Sequence, residues 1–102
     1  DIWRNNFKHL KFVDVVKADI ANYEISSDEK VDVVLADVDL YLPTKIILEK
    51  FYPKLTSGGM ILVDDVEEDS CWDGAHEAYH DFCHTNMIKP RLLGRKSGVL
   101  LK

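Results

Sequence analysis

Val33-Val34-Leu35-Ala36-Asp37-Val38-Asp39 and Met60-Ile61-Leu62-Val63-Asp64-Asp65 decide the reading of this chain, because each is an apolar run that ends in carboxylates. Runs of this length, bounded by turn and acidic residues, read as strands buried on both faces, as in parallel sheets. Parallel strands bring their carboxyl ends to one edge, and open α/β sheets bind ligands outside that edge. Asp37, Asp39, Asp64 and Asp65 then converge on one small volume. Crowded carboxylates repel unless one is protonated or a hard cation lies between them. The pattern outlines a divalent-metal site; its plainer reading is a set of solvated strand ends and helix caps.

Working outward, Pro43 suits the first turn of a helix, with Asp39 or Thr44 as capping candidates. Ile46, Ile47, Phe51 and Leu55 fall on one face of that helix, Pro53 tightens its last turn, and Gly58-Gly59 ends it in a left-handed turn. Asp73 reads as the N-cap of a second helix that buries Ala75, Ala78, Tyr79, Phe82 and Cys83. Met87 to Leu93 and Val99 to Leu101 read as a closing hairpin around Gly94 to Gly98. Before the first acidic run, Ile2 to Leu10 reads as the tail of a helix, Phe12 to Val16 as a strand, and Asn22 to Lys30 as polar turn. Strands and helices that alternate and then close with a hairpin predict an α/β sheet, mostly parallel with an antiparallel edge.

Composition narrows the function. The 102 residues make one small domain, and a net charge of −5 argues against nucleic acid, whose binding modules are basic. No apolar run reaches the length of a membrane span. Cys71 and Cys83 lack zinc-site spacing, and two such cysteines without a leader suggest reduced thiols in a cytoplasm.

The string DVDLYLPTKIILEKFYPKLTSGGMILVDDV, residues 37–66, resembles the macrocin O-methyltransferase family of sugar O-methyltransferases. The shared pattern is Asp-x-Asp-x-Tyr, a helix ending Tyr-Pro, a Gly-Gly turn, a strand ending Asp-Asp, and later a Gly-Ala that opens a helix, here Gly74-Ala75. The resemblance spans about residues 31–85. It implies a Rossmann-like class I methyltransferase fold, S-adenosylmethionine (SAM) as methyl donor, Mg²⁺ as metal, and a small sugar-containing substrate. Such enzymes cradle SAM on a Gly-rich turn after their first strand, whereas the first glycine here is Gly58. Residues 1–102 are therefore expected to be the carboxyl-terminal portion of such a domain, lacking its amino-terminal cofactor-binding half. The family's strand order puts two further strands between Phe12–Val16 and Val31–Ala36. Either those two segments pair directly, or another chain fills the gap, a homo-oligomer being one way.

Roles follow residue by residue. Asp37, Asp64 and Asp65 are the expected metal ligands, and their hard oxygens favour Mg²⁺ over zinc. Asp39 is either the general base for the acceptor hydroxyl or the cap of the next helix. Tyr41 and Trp72 are candidates for contacting substrate, against roles at the core edge and under the acidic loop. The resemblance implies an adenine-binding acid at Asp19, which also reads as an ordinary loop residue. His76, His80 and His84 share one helix face, read as solvated, and Glu67-Glu68-Asp69 is read as solvated charge. Two other classes stand beside methyl transfer. One is a non-catalytic α/β remnant that binds or oligomerises. The other is a receiver-like phosphoacceptor, suggested by Val31 to Asp37, in which the second acidic pair falls on too late a strand.

Overall fold

The computed structural model describes residues 1–68, 71 and 73–102. Helix α1 (Ile2–Phe7) opens the chain, with Asp1 as its N-cap accepting from the Arg4 amide. Strand β1 (Val31–Ala36) leads into α2 (Tyr41–Phe51), a 3₁₀ turn at Tyr52–Lys54, and β2 (Leu55–Val63). Helix α3 (Gly74–Thr85) then precedes a hairpin of β3 (Leu92–Leu93) and β4 (Ser97–Leu101). The described strands form one mixed sheet in the order β1-β2-β4-β3. β1 and β2 are parallel, and the two later pairings are antiparallel. The α/β class and the antiparallel edge hairpin are thus as the sequence predicts.

Both longer helices cover one face of this sheet. Thr44, Ile47 and Leu48 of α2 and Ala75, Ala78, Tyr79 and Cys83 of α3 are buried at helical spacing. Of these, Ile47, Leu48, Ala75, Tyr79 and Cys83 share one core cluster with Ala36, Ile61, Val63 and Leu100, the inward residues of β1, β2 and β4. The opposite face carries Val33 and Leu35 of β1 beside Met60 and Leu62 of β2, and these beside Leu101 and Val99 of β4. Val33 and Leu35 are 58% and 67% exposed, so this apolar face is open. No described helix is long and apolar enough to cross a membrane.

Three local expectations are corrected. Phe12 to Val16 forms no strand; Phe12 and Val16 are exposed and the segment takes turns and irregular backbone. β-branched residues favour a strand only where a neighbouring strand pairs with them. Gly58-Gly59 lies inside β2 rather than at a helix end. There the register slips, a step from Val31 to Val33 on β1 facing a step from Leu55 to Met60 on β2. Gly58 takes φ +84, and a Cβ on Gly59 would sit 2.9 Å from the Asp32 carbonyl, so the bulge requires both glycines. The Met87–Leu93 strand shrinks to Leu92–Leu93, because Met87 is left-handed at φ 54 and Pro90 has no amide to pair.

The irregular segment between α1 and β1 is held from α2. Lys50 Nζ donates to the carbonyls of Ile20, Ala21 and Tyr23 at 2.9, 3.0 and 2.7 Å. Ile20 thereby packs against the core.

Candidate functional site

The parallel pairing of β1 with β2 sets Ala36 opposite Val63, and the Asp64 amide donates to the Ala36 carbonyl at 2.9 Å. Asp37 and Asp64 therefore leave the sheet side by side. Asp39 and Asp65 each adopt a left-handed backbone, φ 58 and 56, which swings the following chain away from the edge. Asp tolerates this region better than most residues. The outcome is a cluster: Asp37, Asp39 and Asp65 each present a carboxylate oxygen within 4.8 Å of the others. Ligands on opposite sides of Mg²⁺ are about 4.2 Å apart, and around Ca²⁺ about 5 Å, so the spacing of the three is of the order that one hard cation requires.

Asp64 has a different neighbour. Lys96, at the tip of the β3–β4 hairpin, places Nζ 3.2 Å from Asp64 Oδ2 and 3.1 Å from Asp65 Oδ1. The backbone joins the same two places, since the Val66 amide donates to the Lys96 carbonyl at 2.7 Å. The two carboxylates, Asp65 foremost, push the Lys96 ammonium pKa up. Lys96 thus brings one positive charge to the acidic edge. In the sequence Lys96 stands beside Arg95 and near Arg91, and nothing local marks it as a partner of Asp64 or Asp65.

Neither capping reading at α2 appears. Leu40 is its N-cap with no side-chain bond, which leaves the Asp39 carboxylate to the cluster. Buried Thr44 instead donates its hydroxyl to the Leu40 carbonyl at 2.8 Å. Asp73 caps α3 in position, without a side-chain bond. Gly74 explains the closeness of α3 to this loop: a Cβ there would lie 2.5 Å from the Tyr41 amide nitrogen and 2.9 Å from the Asp39 carbonyl. Only a glycine lets the start of α3 rest on the segment that carries Asp39.

The remaining expected residues lie apart from the cluster. Tyr41 donates its hydroxyl to Asp81 Oδ2 at 2.8 Å, across a groove of about 500 Å³ between α2 and α3. That bond to Asp81 raises the phenol pKa. Asp19 is exposed, and its Oδ1 accepts from the Ala21 amide at 2.9 Å in a local turn. Trp72 and Asp69 fall outside the described residues.

Comparison with known proteins gives three findings. A model of the macrocin-O-methyltransferase (TylF) family matches residues 10–94. A curated relative from Streptomyces olivaceus, 8-demethyl-8-(2,3-dimethoxy-alpha-L-rhamnosyl)-tetracenomycin-C 4'-O-methyltransferase, is 40% identical over 45 residues, which are 44% of this chain and 17% of that protein. Among solved structures, the O-methyltransferase NovP superposes with a TM-score of 0.76 at 21% identity, covering 97% of this chain and 43% of NovP. CalS11, a TDP-rhamnose 3'-O-methyltransferase of calicheamicin biosynthesis, gives a TM-score of 0.57 at 31% identity over 71% of this chain and 31% of its own. At its level of identity the likeness to NovP speaks to fold. The chain spans less than half the length of each of these relatives.

Proposed function

The chain belongs to the macrocin-O-methyltransferase family, and from that premise we propose that it forms the metal- and acceptor-binding part of a SAM-dependent O-methyltransferase acting on a sugar hydroxyl. The observation that carries this reading is the convergence of Asp37, Asp39 and Asp65 at the carboxyl edge of a parallel strand pair. Sugar acceptors enter by analogy with the rhamnose-directed relatives.

The donor set fits a hard divalent cation: three carboxylate oxygens, no sulfur or imidazole, and access to solvent at Asp37 and Asp39. In this reading Asp37 and Asp65 would hold Mg²⁺, with Asp64 beside them where the Lys96 ammonium is displaced. A cation held there supplies Lewis acidity toward the acceptor hydroxyl. Asp39, on the solvent side, accepts the proton of that hydroxyl as its oxygen takes the methyl group. Toward SAM the chain offers Asp19, with Oδ2 left over from its local turn. A single exposed acid makes no cradle for the cofactor. Free Cys71 and Cys83 accord with a reducing cytoplasm.

The test is transfer of a labelled methyl group from SAM to a deoxysugar-bearing acceptor by a protein in which these residues are joined to a SAM-binding half, with and without Mg²⁺. Transfer should require the metal. Asp39→Asn should lower turnover by about 10²–10⁴ while leaving SAM affinity alone, because a general base acts only as the proton leaves. Metal-independent transfer, or full turnover by the Asn variant, would remove those two assignments.

A second reading, association through a second copy of the chain, is favoured by the open apolar face around Val33 and Leu35. Among the described residues β1 is an edge strand, and a two-fold pairing of like edges would satisfy both copies at once.

A further inference from the structure

Next to the chain that leaves the acidic edge, α3 carries His76 and His80 one turn apart, and the structure holds the two rings in register. Their centroids are 4.2 Å apart with planes inclined by 34°. His76 Nδ1 lies 2.5 Å from the Val66 carbonyl oxygen, and His80 Nδ1 lies 2.9 Å from that of His76. A carbonyl oxygen only accepts, so each Nδ1 carries the proton and each neutral ring keeps its lone pair on Nε2. Metal-binding imidazoles are oriented in this way, with the second ring nitrogen donating to a backbone carbonyl. Both rings, with Glu67, line a cavity of about 460 Å³ between α3, the loop after β2 and β3. Among the described residues, Glu67 Oε2 is buried and has no hydrogen-bond partner. A buried carboxylate oxygen left unpaired is costly, and a cation in the cavity would meet that cost.

We propose that His76 Nε2 and His80 Nε2 form a second metal site, distinct from the carboxylate cluster, for a divalent cation of the zinc, nickel or copper class. Imidazole suits these ions, whereas Mg²⁺ seeks oxygen. Glu67 does not share with both rings the 4.8 Å spacing that joins Asp37, Asp39 and Asp65. The imidazoles therefore make the first hold, and Glu67 closes on the ion by rotating its side chain. Arg95 also lines the cavity but has no lone pair to offer. Because Val66 and Glu67 directly follow Asp64-Asp65, an ion bound here would tie that loop to α3.

The test is a Zn²⁺ titration of the whole chain in excess Mg²⁺, read by competition with a chromophoric chelator. One equivalent should be retained, and ring signals of His76 and His80 should shift in nuclear magnetic resonance spectra of the unmodified chain. His76→Gln and His80→Gln should each weaken zinc by at least the about 10–100-fold that a lost outer-shell partner costs. Glu67→Gln should weaken it less, and Asp39→Asn and His84→Gln should leave it unchanged. Circular dichroism of each variant without zinc checks that α3 persists. Should a Gln variant unfold, the ring shifts of the unmodified chain decide. No retained zinc, ring signals that stay in place, or an affinity unchanged from that of the unmodified chain in both His variants would overturn the proposal. Loss of zinc with Asp39→Asn would overturn it too, by moving the ion to the carboxylate cluster, and full affinity in Glu67→Gln would remove the third ligand.

Discussion

Asp65 combines two properties that are seldom found together by accident: a left-handed backbone and a carboxylate facing two others. Non-glycine residues in sparsely populated backbone regions cost about 1–3 kcal/mol and gather at functional sites. Asn tolerates the same region and copies the shape of Asp, so Asp65→Asn separates the backbone role from the charge. If the proposed site binds Mg²⁺, the unmodified chain should gain melting temperature on its addition by mass action, and the variant should fold with near-unchanged stability but lose that gain. A full rise in the Asn variant, followed by calorimetry, would take Asp65 out of the metal site. Lys96 makes the complementary case. Its ammonium already lies on Asp64 and Asp65, so an incoming cation must displace it. The ion pair is exposed and correspondingly weak, so Lys96→Met should tighten Mg²⁺ by a factor of about 5 at most. Weaker Mg²⁺ binding in that variant would mean that Lys96 shapes the site rather than competing for it.

At the scale of elements, Tyr79 is the latch between α3 and the hairpin. Its hydroxyl accepts from the Arg91 amide and faces the carbonyls of Arg91 and Val99, all at 2.9 Å, and its ring packs where Gly98 leaves room. Tyr79→Phe keeps the ring and strands these partners, which should cost about 1–3 kcal/mol in a denaturant titration. A second link, between α2 and α3, is the Tyr41–Asp81 bond, and its pH dependence has a definite sign. The bond raises the Tyr41 pKa, so its contribution is present below the phenol's ordinary value near 10 and is lost as pH rises through the raised one. In an ultraviolet titration Tyr41 should ionise late, and Tyr41→Phe should remove a late-titrating phenol; an ordinary Tyr41 titration would show the bond absent in solution. These elements also show what the sequence made legible. Val31–Ala36 carries its own signal, an apolar run cut by Asp37, and α3 carries a clean helical period in Ala75, Ala78, Tyr79 and Cys83. The grouping of Asp37 with Asp65 follows from parallel pairing alone. Three other features depend on distant partners that local pattern does not encode. Phe12 to Val16 has strand-forming residues and no strand to pair with, Gly58-Gly59 serves a register slip against β1, and Lys96 reaches Asp64 only because the hairpin folds back.

For the whole molecule, the unbalanced sheet is the dominant physical fact. α2 and α3 cover one face, while Val33, Leu35 and Leu101 are 58%, 67% and 48% exposed on the other. These side chains adjoin across β1, β2 and β4, forming a continuous patch rather than scattered surface residues. Contiguous apolar patches of this kind mark surfaces meant to be covered, and the edge strand β1 runs along the same border. A second copy can cover both, at the expense of the net charge of −5 that each copy carries. Self-association should therefore strengthen with salt, which screens the repulsion between copies while leaving apolar contact intact. Leu35→Lys places a charge in the patch at its β1 border. Since Leu35 is mostly in water within one chain, the substitution should change monomer stability by no more than about 0.5 kcal/mol. It should nevertheless shift sedimentation from a concentration-dependent dimer to a monomer, because a dimer would have to bury an unpaired ammonium. A dimer that survives Leu35→Lys would place its interface elsewhere. A chain that stays monomeric at every concentration and salt would show that a second copy does not cover this face.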